Sequence, residues 1–238
     1  MKYVYMMILI GILIQLTACK GLNAKMYPNK VPDEYDAIKM KVKGLDGWMP
    51  NRNVTYGEYE ALKIKRGWTK GSEALLFPDI NVNTEKSQKT RFTQKTADGK
   101  MADVHLLEIC TRKGFELQLG DIFEIDNTNG THFFMGTITP QDSLGNKWSF
   151  IQDVANYNHE LQITDQKGNK MTLEGNTFRL EDKIIAGYQS GVFEKNWTAF
   201  STYIWIKEDV LPEHKLVVAS MLTALLSRER ISCSQSEE

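Results

Sequence analysis

Short runs in which apolar and polar residues alternate fill most of the chain after its first 36 residues. Residues 104–111 and 132–138 are two clear examples, and turns rich in Gly and Asn separate such runs, as at residues 97–100 and 167–169. Alternation with a period of two places every second side chain on the same face of a β-strand, and Gly and Asn suit the tight turns of β-hairpins. The pattern predicts short antiparallel strands joined by hairpins.

The order of these segments determines the predicted fold class. Helical segments do not alternate with the strands, so a parallel α/β sheet, which needs such alternation, is not expected. We predict a mainly β fold, an antiparallel sandwich or an open barrel, with one C-terminal α-helix. Residues 37–238 are long enough to bury a core and are predicted to form a single β-rich domain.

A continuous apolar segment near the C-terminus predicts that helix, at about residues 212–230. Pro212 stands where a first helical turn tolerates proline, and Arg228 and Arg230 stand where the helix dipole favours cations. Only isolated Ser and Thr residues interrupt the apolar run, so the helix is expected to be buried across a sheet. A self-association surface is the alternative. The run of about 11 residues is too short to span a bilayer.

The N-terminus has the organisation of a secretory signal. Lys2 supplies a positive charge, residues 4–16 are almost entirely apolar, and small residues precede Cys19. This order is typical of a cleaved signal peptide, and the apolar stretch is shorter than the roughly 20 residues that a membrane-spanning helix needs. We predict a signal peptide at residues 1–18.

Four residues at the predicted cleavage site, Leu16-Thr17-Ala18-Cys19, resemble the lipobox of bacterial lipoproteins. The resemblance implies a diacylglycerol group on the Cys19 sulfur, cleavage before Cys19 and acylation of the freed amine. Two or more acyl chains hold a protein to a bilayer where a single chain does not, so the implied partner is a membrane. Residues 19–36 are predicted to be a lipidated tether. An ordinary secreted protein is the alternative.

The layout of signal, tether and β domain resembles that of envelope lipoproteins of Gram-negative bacteria. In such families an Asp directly after the lipidated cysteine favours retention at the inner membrane, whereas Lys20 follows Cys19 in this chain. The resemblance implies a lipid-anchored protein of the cell envelope, at the outer membrane and facing the periplasm.

Two cysteines remain if Cys19 is acylated, and the predicted compartment permits disulfides. Cys110 lies in an apolar run that predicts a strand, and Cys233 lies in a polar tail. A buried Cys110 thiol with an unpaired Cys233 is one interpretation, and a Cys110–Cys233 bridge that fixes the C-terminus is the other. No cysteine spacing typical of a metal site occurs.

Sequence signatures of catalysis are few. The chain has no Gly-x-Ser-x-Gly motif, no glycine-rich phosphate loop and no dinucleotide fingerprint, which argues against the commonest serine hydrolases and against nucleotide enzymes. His105, His132 and His159 begin predicted strands at similar intervals and are weak candidates for a metal or catalytic cluster. We expect no cofactor.

Charge is distributed unevenly along the chain. The 29 basic and 30 acidic residues nearly balance, which argues against a nucleic-acid partner, because such domains are strongly basic. A local excess of basic residues between positions 63 and 100 predicts a strip that meets an anionic partner. The alternative is that these charges face acidic residues on neighbouring strands or are simply solvated. The strip consists of Lys63, Lys65, Arg66, Lys89, Arg91 and Lys95.

Aromatic residues suggest a second kind of ligand. On an alternating strand, Trp197, Tyr203 and Trp205 share one face, as in a carbohydrate-binding platform, although aromatic residues in a β fold more often lie in the core. The predicted function is a non-enzymatic binding or structural role in the envelope. The sequence does not identify a ligand, and an anionic and a carbohydrate ligand are the two candidates. The alternative is an envelope hydrolase or carbohydrate-active protein whose site residues are distant in sequence.

Overall fold

The structure, a computed structural model, describes residues 37–44, 53–69, 84–111, 115–119, 123–127, 132–142, 146–154, 160–193 and 200–228, with Ile231 and Cys233. The predicted signal peptide, Cys19 and the predicted tether lie outside the described residues, as do His159 and Trp197. All described residues belong to one unit, Asp36–Glu238.

Twelve of the described strands pair into one antiparallel sheet, and two more form a separate hairpin. This confirms the predicted mainly β, antiparallel fold class. In chain order the strands are β1 (Ala37–Lys41), β2 (Val54–Tyr56), β3 (Tyr59–Thr69), β4 (Thr84–Thr96), β5 (Met101–Thr111), β6 (Phe115–Leu119), β7 (Phe123–Asn127), β8 (His132–Pro140), β9 (Trp148–Asp153), β10 (Leu161–Asp165), β11 (Lys170–Glu174), β12 (Thr177–Leu180), β13 (Lys183–Phe193) and β14 (Phe200–Lys207).

The order of strands in the sheet, β1-β14-β13-β12-β11-β10-β9-β8-β5-β4-β3-β2, follows the chain almost throughout. Two of the hairpin turns that join neighbouring strands contain Gly99 and Gly168, whose φ angles of 89° and 87° lie in the left-handed region that favours glycine. Both turns fall where the Gly-rich patterns predict them. The order departs from the chain where β5 pairs with β8 and where β1 pairs with β14.

A backbone bridge nearly closes the sheet on itself. The Lys43 N–H donates to the Thr55 carbonyl (2.8 Å), and the Thr55 N–H donates to the Lys43 carbonyl (3.0 Å). These bonds join the segment after β1 to β2, the strand at the other end of the sheet order. The sheet is therefore barrel-like, and closure pairs strand edges that would otherwise be open to association with other chains.

One helix, α1 (Pro212–Ser227), packs against β3, β4, β5 and β8. It lies within the predicted range and ends at Ser227, because Arg228 has an extended backbone (φ −64°, ψ 127°). A helix that is apolar on all sides is expected to be buried, and the side chains of α1 follow this rule. No helix among the described residues is long and apolar enough to cross a membrane. The fully buried residues of α1 include Val217, Val218, Ala219, Met221 and Leu222.

The main hydrophobic core lies on the side of the sheet that faces α1. Tyr56 connects the two layers, because its hydroxyl donates a hydrogen bond to the Ala219 carbonyl at 2.6 Å. Strands β5 and β8 are apolar on their opposite face as well. There the buried apolar side chains are Leu107, Ile109, Phe133 and Met135.

Candidate functional site

Three cationic or ionisable side chains form a row across β3, β4 and β5. Lys65 is directly opposite Arg91 in the register of β3 and β4, and Arg91 is directly opposite His105 in the register of β4 and β5. Directly opposite residues project from the same face of a sheet, with Cβ atoms about 5 Å apart. Because Phe92 and Val104, the chain neighbours of the row, lie in the core, the row faces away from α1.

This row lines a shallow groove of about 200 Å³. A β-bulge adds Lys63 to it, because the pairing of β3 with β4 shifts between Leu62 and Lys65 and Lys63 has a φ of 55°. Bulges redirect side chains and are common beside functional sites. The groove therefore contains two lysines, one arginine and one histidine. Its remaining lining residues are Leu62, Phe92, Thr93, Asp103 and Val104.

The cations of the groove are not neutralised by ion pairs within the described part of the chain. Lys63, Lys65 and Arg91 take part in none of the ion pairs found there. Asp103 also lines the groove, and it accepts hydrogen bonds from Thr93 Oγ1 and Gln141 Nε2, both at 3.0 Å. Like charges directly opposite each other on a sheet are destabilising, so the fold maintains an excess of positive charge at a cost in stability.

The imidazole of His105 also lines the groove, and its protonation depends on burial and on neighbouring charges. Burial lowers the pKa of His105 below its ordinary value, and the positive charges of Arg91 and Lys147 lower it further, whereas Asp103 opposes them. At neutral pH the ring is therefore uncharged and offers one N–H donor. Such a donor, placed next to Arg91 in the row, suits an anion that accepts several hydrogen bonds.

The predicted basic strip lies largely on this outer face, with one correction. Arg66 points to the opposite face, where its Nε and Nη2 donate to the Ser227 carbonyl at the end of α1 (3.1 and 3.0 Å). Lys95 stands opposite Glu60, which is the neutralising arrangement that the sequence offered as an alternative. The other five members of the strip are exposed or half-buried: Lys63, Lys65, Lys89, Arg91 and Lys95.

The predicted histidine cluster does not form between the two of its members that the structure describes. His105 faces away from α1. His132 is directly opposite Cys110, which projects from the same face of β5 as Glu108, two residues away. The Glu108 carboxylate binds Arg228 at the end of α1, so this face is the one toward α1. His105 and His132 therefore lie on opposite faces of the sheet. His159 lies outside the described residues.

A buried charged cluster near the end of α1 was not predicted. Glu108, whose side chain is 3% exposed, accepts hydrogen bonds from Arg228 Nε (2.9 Å) and Nη2 (2.8 Å) and contacts His132 Nε2 at 2.6 Å. Burial alone would raise the pKa of Glu108, but the bonds from Arg228 and His132 outweigh it, and the pKa is lowered. The one sequence feature that could have indicated this cluster is Glu108 itself, a charged residue inside an apolar run. Its partner Arg228 is distant along the chain.

The two remaining cysteines are bonded to each other. The Cys110–Cys233 disulfide connects β5 to the segment after α1, with Cα atoms 5.5 Å apart, so the bridge that the sequence left open is present. The two sulfur atoms and a ring nitrogen of His132 all lie within 4.8 Å of one another. The sequence offered the Cys110–Cys233 bridge as one alternative but did not predict that His132 lies beside it.

The predicted carbohydrate platform gains no support from Trp148 and Trp205, the two tryptophans whose side chains the structure describes. Trp205 and Trp148 are buried, at 4% and 0% exposure, and Trp197 lies outside the described residues. A stacking platform needs an exposed aromatic face, and neither of the two buried rings offers one.

No protein-family profile, curated protein or solved structure matches this chain.

Proposed function

We propose that this chain is a lipid-anchored envelope protein, held at the outer membrane by an acylated Cys19, whose barrel-like domain binds an anionic ligand in the groove formed by Lys63, Lys65, Arg91 and His105. The lipobox-like residues before Cys19 support the anchor. The groove supports the binding role. The proposed role is non-enzymatic.

The observation that carries the binding proposal is the direct opposition of Lys65 and Arg91 on neighbouring strands. Cross-strand pairs of opposite charge stabilise a sheet and like pairs destabilise it. An anion placed between the two side chains would convert the repulsion into two attractions. The bulge at Lys63 and the donor of His105 would add further contacts to the same anion.

The size of the groove indicates the chemistry of its ligand. Pockets for drug-sized molecules measure about 300–1,000 Å³, whereas this groove measures about 200 Å³. A single phosphate-class group therefore suits it better than a whole cofactor. Such a group occurs on anionic lipid headgroups, on acidic polymers and as the free ion. The proposed anchor would hold the domain beside a surface that carries such groups.

The alternative function, an envelope hydrolase or carbohydrate-active enzyme, has no comparable support among the described residues. It required histidines gathered with carboxylates in one cleft. His105 and His132 instead occupy opposite faces of the sheet, and the His132–Glu108 pair is held by Arg228. The rings of Trp148 and Trp205 are buried and are not placed to stack on a sugar.

The test is co-sedimentation of the soluble domain, residues 20–238, with vesicles of phosphatidylglycerol or phosphatidylcholine across a salt series. We expect binding to the anionic vesicles alone, weakening as salt rises, because exposed charges are screened beyond about 8 Å at physiological ionic strength. If inorganic phosphate competes with the vesicles, the ligand is a phosphate group. If phosphate does not reduce vesicle binding, the ligand is the anionic membrane surface. Equal binding to both vesicle types, or to neither, would reject the proposal.

A matched pair of variants makes the test specific for the groove. Lys65→Ala with Arg91→Ala should weaken binding about thirtyfold, because each basic residue near an anionic surface contributes about 1 kcal/mol. Lys167→Ala with Lys183→Ala removes the same charge from two exposed positions elsewhere and should leave binding nearly unchanged. Similar losses in both variants would indicate an effect of net charge and not a site.

A further inference from the structure

Cys110, Cys233 and His132 bring three metal-ligating groups together at the end of the sheet near the C-terminus of α1. Cys110 and His132 are opposite each other on β5 and β8, and Cys233 reaches them from the segment after α1. One potential ligand atom from each residue lies within 4.8 Å of the other two. This cluster faces the α1 side of the sheet and is separate from the cationic groove.

We infer that, once the Cys110–Cys233 disulfide is reduced, these two cysteines and His132 form a site for a zinc ion. Thiolate and imidazole are the preferred zinc ligands in proteins. Two Zn–S bonds of about 2.3 Å at a tetrahedral angle hold their sulfurs about 3.8 Å apart, which is within the 4.8 Å limit of the cluster. Because the two Cα atoms are only 5.5 Å apart, zinc binding would need the cysteine side chains to adjust but would need little backbone movement.

The contact between His132 and Glu108 prepares the imidazole for coordination. Nε2 lies 2.6 Å from Glu108 Oε1, so a proton on Nε2 is donated to the carboxylate and the lone pair is left on Nδ1. Metal-binding histidines almost always donate their second nitrogen to a carboxylate or carbonyl, which fixes the tautomer and raises the basicity of the ligand. Glu108 is itself fixed by two hydrogen bonds from Arg228.

Charge balance also suits a zinc ion. Two thiolates neutralise Zn²⁺, and Glu108 is already paired with Arg228, so the occupied cluster would carry no net charge. Burial of a neutral assembly avoids the desolvation penalty that an unpaired buried charge incurs. Three protein ligands among the described residues leave a fourth position for water or an external ligand, as in zinc sites that are not purely structural.

The disulfide and the metal exclude each other. A dithiol reductant transfers two electrons and two protons to the Cys110–Cys233 bond, yields two thiols and itself becomes a disulfide. Zinc then displaces the two thiol protons and binds both thiolates. A disulfide oxidant would take two electrons from the two thiolates, become a dithiol with two protons from solvent, and so restore the bridge and release the ion. Cys110 is fully buried, whereas Cys233 and His132 are half-buried, so the ion would enter from the side of the C-terminal segment.

The test uses the full chain in detergent, reduced with a phosphine, which does not compete for zinc as a dithiol would. We expect the reduced protein to bind one equivalent of Zn²⁺ in competition with a chromophoric chelator and the oxidised protein to bind none. Cobalt in place of zinc should give thiolate-to-cobalt charge-transfer absorption. Absence of stoichiometric binding, or equal binding before and after reduction, would overturn the proposal and leave a purely structural disulfide.

Two histidine variants test whether His132 is the imidazole ligand. His132→Gln preserves a hydrogen-bond donor for Glu108 and should weaken zinc binding of the reduced protein at least tenfold. His214→Gln changes a histidine that lies against Trp148, outside the cluster, and should bind zinc like the wild type. Equal affinities in the two variants would exclude His132 as a ligand. If His132→Gln does not fold, the cobalt spectrum of the reduced wild type decides between coordinated and free thiolates.

Discussion

At the scale of single residues, Lys65 and Arg91 form a cross-strand pair of like charge, an arrangement that destabilises a sheet. Each is placed opposite the other in the register, and neither has an ion pair within the described part of the chain. Arg66, next to Lys65, has a different role, because it donates two hydrogen bonds to a free carbonyl at the end of α1. Adjacent cations on one strand thus lie on opposite faces, Lys65 in the proposed anion site and Arg66 at the end of α1.

Reversal of one charge in the groove should raise stability and lower binding together. In Lys65→Glu the new carboxylate would face Arg91, and we expect the free energy of unfolding to rise by a few tenths to about 1 kcal/mol, measured by denaturant titration. Binding to phosphatidylglycerol vesicles should fall. Lys183→Glu, an exposed change of the same charge elsewhere, is the control, with a stability change within about 0.5 kcal/mol. Loss of stability in Lys65→Glu would contradict the repulsion argument.

At the scale of elements, local patterns in the sequence predict most of what the chain forms. Alternation and Gly-rich turns predict strands and hairpins, and the apolar run predicts α1. Alternation also assigns Lys65 and Arg66 to opposite faces, and the predicted strip was wrong at Arg66 because it grouped residues by charge and not by period. The bulge at Lys63 and the Glu108–Arg228 pair could not be predicted, because each depends on a neighbouring strand or a distant segment.

The burial of α1 is tested by the same substitution at two positions. Leu222→Asp would place a carboxylate at a site with 0% exposure and should cost several kcal/mol of unfolding free energy. Leu211→Asp changes a residue that is 63% exposed and occupies the N-cap of α1 without a side-chain cap bond. Aspartate is favoured there, so stability should rise by about 1 kcal/mol. Thermal unfolding of both variants measures the contrast, and wild-type stability in Leu222→Asp would show that α1 is not part of the core.

At the scale of the whole molecule, contacts between residues distant in sequence close the sheet and fix the C-terminal segment. The Lys43–Thr55 bridge brings the two ends of the sheet together, and the disulfide joins residues 123 positions apart. A cross-link over a loop of this length stabilises the folded state by roughly 5 kcal/mol in the chain-entropy model. No local sequence pattern predicts such contacts. For this reason the sequence left two pairs of alternatives open: a sandwich or a barrel, and a disulfide or free thiols.

The lipid anchor is a prediction about the whole molecule, because it decides whether the domain stays beside the membrane. If Cys19 carries diacylglycerol, Cys19→Ser should leave the chain uncleaved with its signal attached or release it from the membrane fraction. Two or three acyl chains contribute about 0.8 kcal/mol per buried CH₂, so the wild-type protein should resist extraction by salt. Thr17→Ser is the matched control, since the −2 position of the lipobox accepts small polar residues, and it should be lipidated normally. Mass spectrometry of the mature N-terminus decides, and an unmodified N-terminal residue at another position would refute the predicted anchor.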